Sequence, residues 1–188
     1  MEFLDICDEN GIPTGETVER NTAHREDVCH RTAHVWIMRE RDGKHEILMQ
    51  KRSLSKDSFP GCFDTSSAGH IPAGCEPLES AIRELSEELG ITASEKDLEF
   101  AGSFRNHYEN VFHEKLFRDN EISFVYVLKK PVNIPDLTLQ EEELSGAEWF
   151  DLMFVYGEKL RKNRDFCVSV DELRTLMKYL GIDTKGDL

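Results

Sequence analysis

The chain has 188 residues, 39% of them apolar and 32% charged, enough for one domain with a core of its own and no disulfide or zinc staple. Its 37 acidic residues outweigh 23 basic ones for a net charge of −14, a field that repels nucleic acid backbones and disfavours broad DNA or RNA binding. No apolar run approaches the roughly 20 residues of a membrane span, and the start lacks the basic and apolar stretch of an export signal. The five cysteines form an odd set with no CxxC pair, which predicts reduced thiols and a cytoplasmic protein.

Residues 2–7 read as a strand entering the Asn10-Gly11 turn, hence an N-terminal β-hairpin. Residues 16–27 are polar and fit a short helix or loop. Residues 31–39 and 46–50 are rich in β-formers and flank Asp42-Gly43, a second hairpin. Residues 53–61 read as a loop. A helix is predicted from Pro77 to Gly90, with proline at its start and glycine past its end. Strands follow over 98–105, 122–128 and 147–150, then helices over 152–162 and from the capping-box pattern Ser169…Glu172 to Gly181. Strands first with few helices between them predict an α+β layered domain. The chain is expected to form a single domain over 1–188, with a helical segment over 151–188.

The chemistry is concentrated in residues 68–91. Leu78, Ala81, Ile82, Leu85 and Leu89 fall on one stripe of the helix, which must face a core. Glu84, Glu87 and Glu88 are related by i, i+3 and i+4, so their carboxylates converge on another face, and Arg83 is placed to compensate Glu87. The preceding loop, punctuated by Gly69 and Gly74, brings backbone carbonyls close by. Three carboxylates and a backbone oxygen form a hard site suited to Mg2+ or Mn2+ holding a diphosphate.

Gly69, then Arg83-Glu84-Leu85-Ser86-Glu87-Glu88-Leu89-Gly90-Ile91, match eight of the nine specified positions of the G-x5-E-x7-R-E-U-x-E-E-x-G-U box, where U is aliphatic. The chain thus resembles the Nudix hydrolases, which implies the Nudix fold, an α/β/α sandwich around a mixed sheet, and hydrolysis of a diphosphate joined to another moiety. The departure is Cys75, where the family usually carries a Glu that supports the metal shell. The run Arg52-Ser53-Leu54-Ser55-Lys56, Pro60-Gly61, the pair Gly69-His70, and His30-Arg31 resemble isopentenyl-diphosphate isomerase, a Nudix-fold enzyme. That resemblance implies a second metal near His30, His70, Asp119 and Glu121, and His24 is near enough in sequence to join them. The isomerase carries a Cys before the Gly-His pair, whereas Ala68 here has no proton to give.

These residues predict metal ligation by Glu84, Glu87, Glu88 and Glu121, and a general base among Glu121, Glu87 and Glu88. Arg83 is expected to orient a box Glu. Lys51, Arg52 and Lys56 form a basic patch that either steers phosphate or is an ordinary exposed strand end, and His30 and His70 are candidate ligand or phosphate contacts. His34, His45, His107 and His113 read as surface or packing residues, Trp36 and Trp149 as packing, and Gln140–Glu143 as a solvated run or part of the site rim. The predicted partner is a small-molecule diphosphate, with surface for a homodimer at the N-terminal hairpin and C-terminal helices. Two other readings remain open: an isomerase-like prenyl-diphosphate enzyme, and a ligand-binding module without turnover. Selectivity is expected in a loop over 106–120.

Overall fold

The computed structural model describes residues 1–56 and 58–183, so the last residues of the expected segment 151–188 lie outside the described ones. Strands β1 (Phe3–Cys7) and β2 (Pro13–Glu19) form the N-terminal hairpin, its turn held by Asp8 Oδ1, which accepts from the amides of Asn10 and Ile12 at 2.9 Å. The first four residues of the polar stretch 16–27 are therefore strand, and helix α1 (Arg20–Glu26) follows them.

The seven-stranded sheet is built from β3 (His30–Arg41), β4 (Lys44–Arg52), β5 (Phe63–Asp64), β6 (Ser67–His70), β7 (Leu98–Phe112), β8 (Lys115–Leu128) and β9 (Leu144–Asp151). β3 runs parallel to β8 and antiparallel to β4, while β9 pairs with the outer edge of β4. Towards the other end β3 and β4 diverge, and β6 enters beside β3 over Thr32–Val35. Ser66 bridges the fork: its Oγ accepts from the Ile37 amide and donates to the Leu48 carbonyl. Two backbone groups left unpaired by the divergence are satisfied in this way.

β3 is buried on both faces, which is why it reads as a run of β-formers rather than an alternation. On one face Ala33, Val35, Ile37 and Leu48 meet Ala81, Leu85 and Leu89 of α2 (Pro77–Leu89). On the other, Trp36, Ile47, Met49 and Val125 pack on α3 (Leu152–Leu160) and α4 (Val170–Tyr179) through Leu152, Val155, Leu173, Leu176 and Met177. Helices on both faces of a mixed sheet give the expected three layers. The apolar stripe of α2 lies where its spacing placed it, and Gly90 ends the helix at φ 68° with its amide on the Leu85 and Ser86 carbonyls. Trp149 packs against the same cluster, with Arg39 over its ring at 4.1 Å.

Two expectations are corrected. Residues 106–120 are not a loop: β7 and β8 stay paired as far as Phe112 and Lys115, and His113 and Glu114 turn the chain at φ 49° and 64°, the two-residue hairpin conformation. Alternation there is hidden because Asn106, Tyr108 and Asp119 on the inward face are polar and share it with Phe112 and Phe117. The capping box at α4 is half formed. Ser169 Oγ accepts from the Glu172 amide at 3.0 Å, but the Glu172 carboxylate turns inward to His34 Nδ1 at 2.9 Å and Thr65 Oγ1 at 2.7 Å. A buried cation competes better for that carboxylate than an exposed backbone amide does.

Candidate active site

Strand β6 is the wall between two clusters. Its alternate residues point to opposite faces, so Gly69 faces α2 while Ala68 and His70 face the strands. On the α2 side, a Cβ built on Gly69 would stand 2.3 Å from the Glu84 carboxylate; only glycine lets that carboxylate come so close. Glu88 is 6% exposed, and its Oε2 accepts from the Ala68 amide at 3.1 Å. Burial raises Glu84 to about 7, opposed by Arg83 and assisted by Glu87, and burial raises Glu88 to about 8. Two neighbouring carboxyls largely withdrawn from water thus have their charged forms disfavoured.

Arg83 holds a box Glu, but that Glu is Glu84 rather than the Glu87 its spacing points to. Its Nη2 donates to Glu84 Oε1 at 2.7 Å and to the His70 carbonyl at 3.1 Å, whereas Glu87 is 3.7 Å away. The guanidinium is drawn along the helix because one nitrogen meets both the buried carboxylate and the end of β6. Glu87 keeps its side chain 54% exposed on the open side. Glu76 and Glu79 line a separate surface cleft with Leu78, Ile82 and Glu95, of about 450 Å3; another cleft, of about 350 Å3, lies by Gly43, Asp151 and Ile182. Neither cleft includes a residue of the two clusters.

On the other face, strand register assembles the second cluster. His30 pairs with Glu121 across the parallel β3–β8 ladder, Asp119 pairs with Tyr108 across β7–β8, and His70 lies opposite Thr32 on β6. Helix α1 adds His24, which is buried and stacks on Phe117 at 4.4 Å. His30 donates Nδ1–H to the Val28 carbonyl at 2.9 Å, and His24 donates Nδ1–H to the Arg118 carbonyl at 3.1 Å. That tautomer turns the Nε2 lone pair of each neutral ring into the cluster. His24 Nε2 lies 3.2 Å from His70 Nε2, and Glu121 Oε1 lies 3.4 Å from His30 Nε2 and 3.7 Å from His70 Nε2.

Charge is unevenly held there. Burial lowers His24 to about 4 and puts His70 well below its ordinary value. Burial also works against His30, but Glu121 beside it outweighs that and raises it. Burial and the neighbouring Glu121 push Asp119 up to about 9, while the histidines hold Glu121 down against burial. The donor atoms of His24, His30 and His70, and of His30, Asp119 and Glu121, each lie within 4.8 Å of one another. Among the described residues, His30 Nε2 and Asp119 Oδ1 are buried without a hydrogen-bond partner. Imidazole and carboxylate donors aimed at one point, two of them orphaned, suit a divalent cation.

The basic patch is engaged elsewhere. Arg52 donates to Asp64 at 3.0 Å and to Ser58, Lys56 is paired with Glu143, and Lys51 lies over the Phe63 ring. His34 proves to be a packing residue, buried in its pair with Glu172, and His107 is an exposed one beside Asp27. Asn106, whose Nδ2 donates to Asp119 at 3.1 Å, and Tyr108 were missed by sequence reasoning. The signal was present in their i, i+2 spacing, which matches that of Asp119 and Glu121 on the facing strand.

A mixed sheet between helices, with the glycine–carboxylate crossing of β6 and α2, defines a Nudix domain. Residues 29–166 match the NUDIX domain family, and the chain belongs to it. It is similar to Nudix hydrolase 3 of Arabidopsis thaliana, 39% identical over 150 residues that are 79% of this chain and 19% of that protein. It is also similar to a Nudix hydrolase of Clostridium acetobutylicum, 37% identical over 145 residues, 77% of this chain and 68% of the other. The crystal structure of DR0079 from Deinococcus radiodurans shares the fold, with a TM-score of 0.67 at 20% identity over 92% of this chain and 98% of that one. The family and these relatives indicate a pyrophosphohydrolase. Nudix enzymes generally depend on divalent metals, and no helix among the described residues is long and apolar enough to cross a membrane.

Proposed function

We propose that this chain, folded as one Nudix domain, hydrolyses the diphosphate linkage of a nucleoside diphosphate joined to another group, or of a related organic pyrophosphate, with Mg2+ or Mn2+ held by Glu84, Glu87 and Glu88. The observation that carries the reading is the carboxyl pair of half-buried Glu84 and buried Glu88, packed against Gly69 and the Ala68 amide. Burying carboxylates this way is costly unless a cation compensates them. When bound, the cation neutralises phosphate oxygens and makes the attacking water more acidic.

The chain's own groups do the rest. Arg83 fixes Glu84 and the His70 carbonyl in one arrangement. Of the three candidate bases, Glu88 is tied to the Ala68 amide and Glu121 lies among the histidines on the other face of β6, which leaves the exposed Glu87 to take the water's proton at its carboxylate. Lys51, Arg52 and Lys56 meet phosphate only by leaving their present partners.

A second feature belongs to the isomerase-like subgroup. His24, His30, His70, Asp119 and Glu121 fit a second cation, supported by the orphaned His30 Nε2 and Asp119 Oδ1. Ala68 supplies no acid for protonating an alkene, so we read the subgroup's metal arrangement as serving hydrolysis. We place the enzyme in the cytoplasm, acting on a small molecule with neither nucleic acid nor membrane. The test is a screen of nucleotide sugars, dinucleotides, nucleoside triphosphates and prenyl diphosphates with Mg2+ and Mn2+, following phosphate and nucleotide release. Hydrolysis of one class supports the reading. Interconversion of isopentenyl diphosphate without phosphate release, or binding without turnover of any compound, contradicts it.

A further inference from the structure

The box departs from its family pattern at Cys75, and the side chain there packs against the apolar cluster under α2. It gives nothing to the carboxylate face. The loop that carries it, between β6 and α2, is instead gripped from outside the box. Asp5 Oδ2, on β1, accepts from the Gly74 amide at 2.9 Å and from Arg31 Nη2 at 2.7 Å, and the same Arg31 nitrogen donates to the Cys75 carbonyl at 3.0 Å. Asp5 is 9% exposed and Arg31 4%. The Ala73 amide donates to the Phe3 carbonyl at 2.8 Å, the Ile71 amide to the Arg31 carbonyl at 3.0 Å, and Leu4 bridges to Pro72.

We infer that Asp5 and Arg31 are positioning residues of the acidic site, doing through the loop's main chain what the missing signature carboxylate does in other Nudix boxes. A buried ion pair is a poor way to add stability, because desolvation offsets most of the attraction. It is an effective way to fix geometry, since two charged groups with several directional bonds accept few alternative arrangements. The geometry fixed here is the junction of β6 and α2. One end of the loop is His70, whose carbonyl takes Arg83; the other is the start of the helix that holds Glu84 and Glu88. Shifting the loop moves Ala68 and Gly69 against those two carboxylates.

The inference rests on the proposed metal site but is read without substrate. Wild type, Asp5→Ala, Arg31→Lys and, as a control, Val18→Ala are titrated with Mn2+ alone by electron paramagnetic resonance. Exchange of the Ala68 amide, which bonds Glu88, is followed in the metal-free proteins. Val18 lies on β2 opposite Leu4, where truncation loosens the hairpin without touching the loop. Asp5→Ala is expected to weaken Mn2+ binding about ten-fold and to speed Ala68 exchange, and Arg31→Lys to do so several-fold. Val18→Ala is expected to lower Tm while leaving both unchanged. Arg31→Lys carries the test alone if Asp5→Ala does not fold. Wild-type Mn2+ affinity in the loop variants, or equal weakening in Val18→Ala, overturns the inference and leaves the functional reading standing; a wild type that binds no Mn2+ overturns both.

Discussion

Gly69→Ala isolates the contact on which the acidic site is built. The added Cβ would meet the Glu84 carboxylate at 2.3 Å, against an ordinary contact of about 3.4 Å, so the carboxylate must move by about 1 Å or β6 must retreat by as much. Glu84 is the far end of a flexible side chain, and giving way there is cheaper than breaking the β3–β6 ladder. Overpacking of this kind costs about 1–3 kcal/mol. A displacement of about 1 Å at a site that works by positioning costs on the order of 100-fold in rate. The expected result is a folded protein with a modestly lowered Tm and a kcat/KM reduced about 100-fold. Shortening the acid in Gly69→Ala/Glu84→Asp should restore part of the loss. The assay pairs thermal unfolding with steady-state hydrolysis of the best compound from the diphosphate screen. Full activity in Gly69→Ala would refute the idea that Glu84 works from this position.

The buried His34–Glu172 pair sets a pH dependence of stability. Burial opposes the charge on His34, but Glu172 outweighs it and raises His34 to about 9. A raised folded-state value means the contribution is complete below the unfolded value of about 6.5 and fades as pH climbs through about 9. Tm should therefore fall between those limits in wild type and much less in Glu172→Gln, which should also lose about 3–5 kcal/mol near neutrality; parallel pH profiles in chemical denaturation would contradict the pairing. His30→Ala should remove one equivalent of bound metal, measured by elemental analysis after Mn2+ loading and desalting, while leaving the acidic site able to bind. Chelation followed by Mg2+ replenishment should abolish and then restore hydrolysis; turnover that survives exhaustive chelation would contradict a metal requirement.

The acidic helix was legible because a single element carries its whole message: stripe, carboxylate spacing, initial proline and final glycine all lie within 23 residues. What was not legible depended on distant partners. Gly69 could be counted in a box, but that its missing Cβ makes room for Glu84 follows only from the crossing of β6 and α2. β6 itself spans four residues and is too short to show a period. Glu172 satisfied a local capping pattern and was taken by His34, 138 residues away in sequence. Asp5 carried no signal and Arg31 only its place beside His30, since nothing local distinguishes a clamp from two ordinary surface charges. The hairpin end of β7 and β8 reads as a loop because several of its inward residues, Asn106, Tyr108 and Asp119 among them, are polar and serve the histidine cluster rather than a core.

The most direct measurement is Mn2+ affinity and turnover in Glu88→Gln beside wild type. Glu88 is buried, and Gln keeps its shape and its ability to accept from the Ala68 amide. Fold and Tm should persist, while metal affinity in the acidic site and hydrolysis should both fall by at least 100-fold. Wild-type affinity and wild-type turnover in that variant would show that the box carboxylates hold no cation.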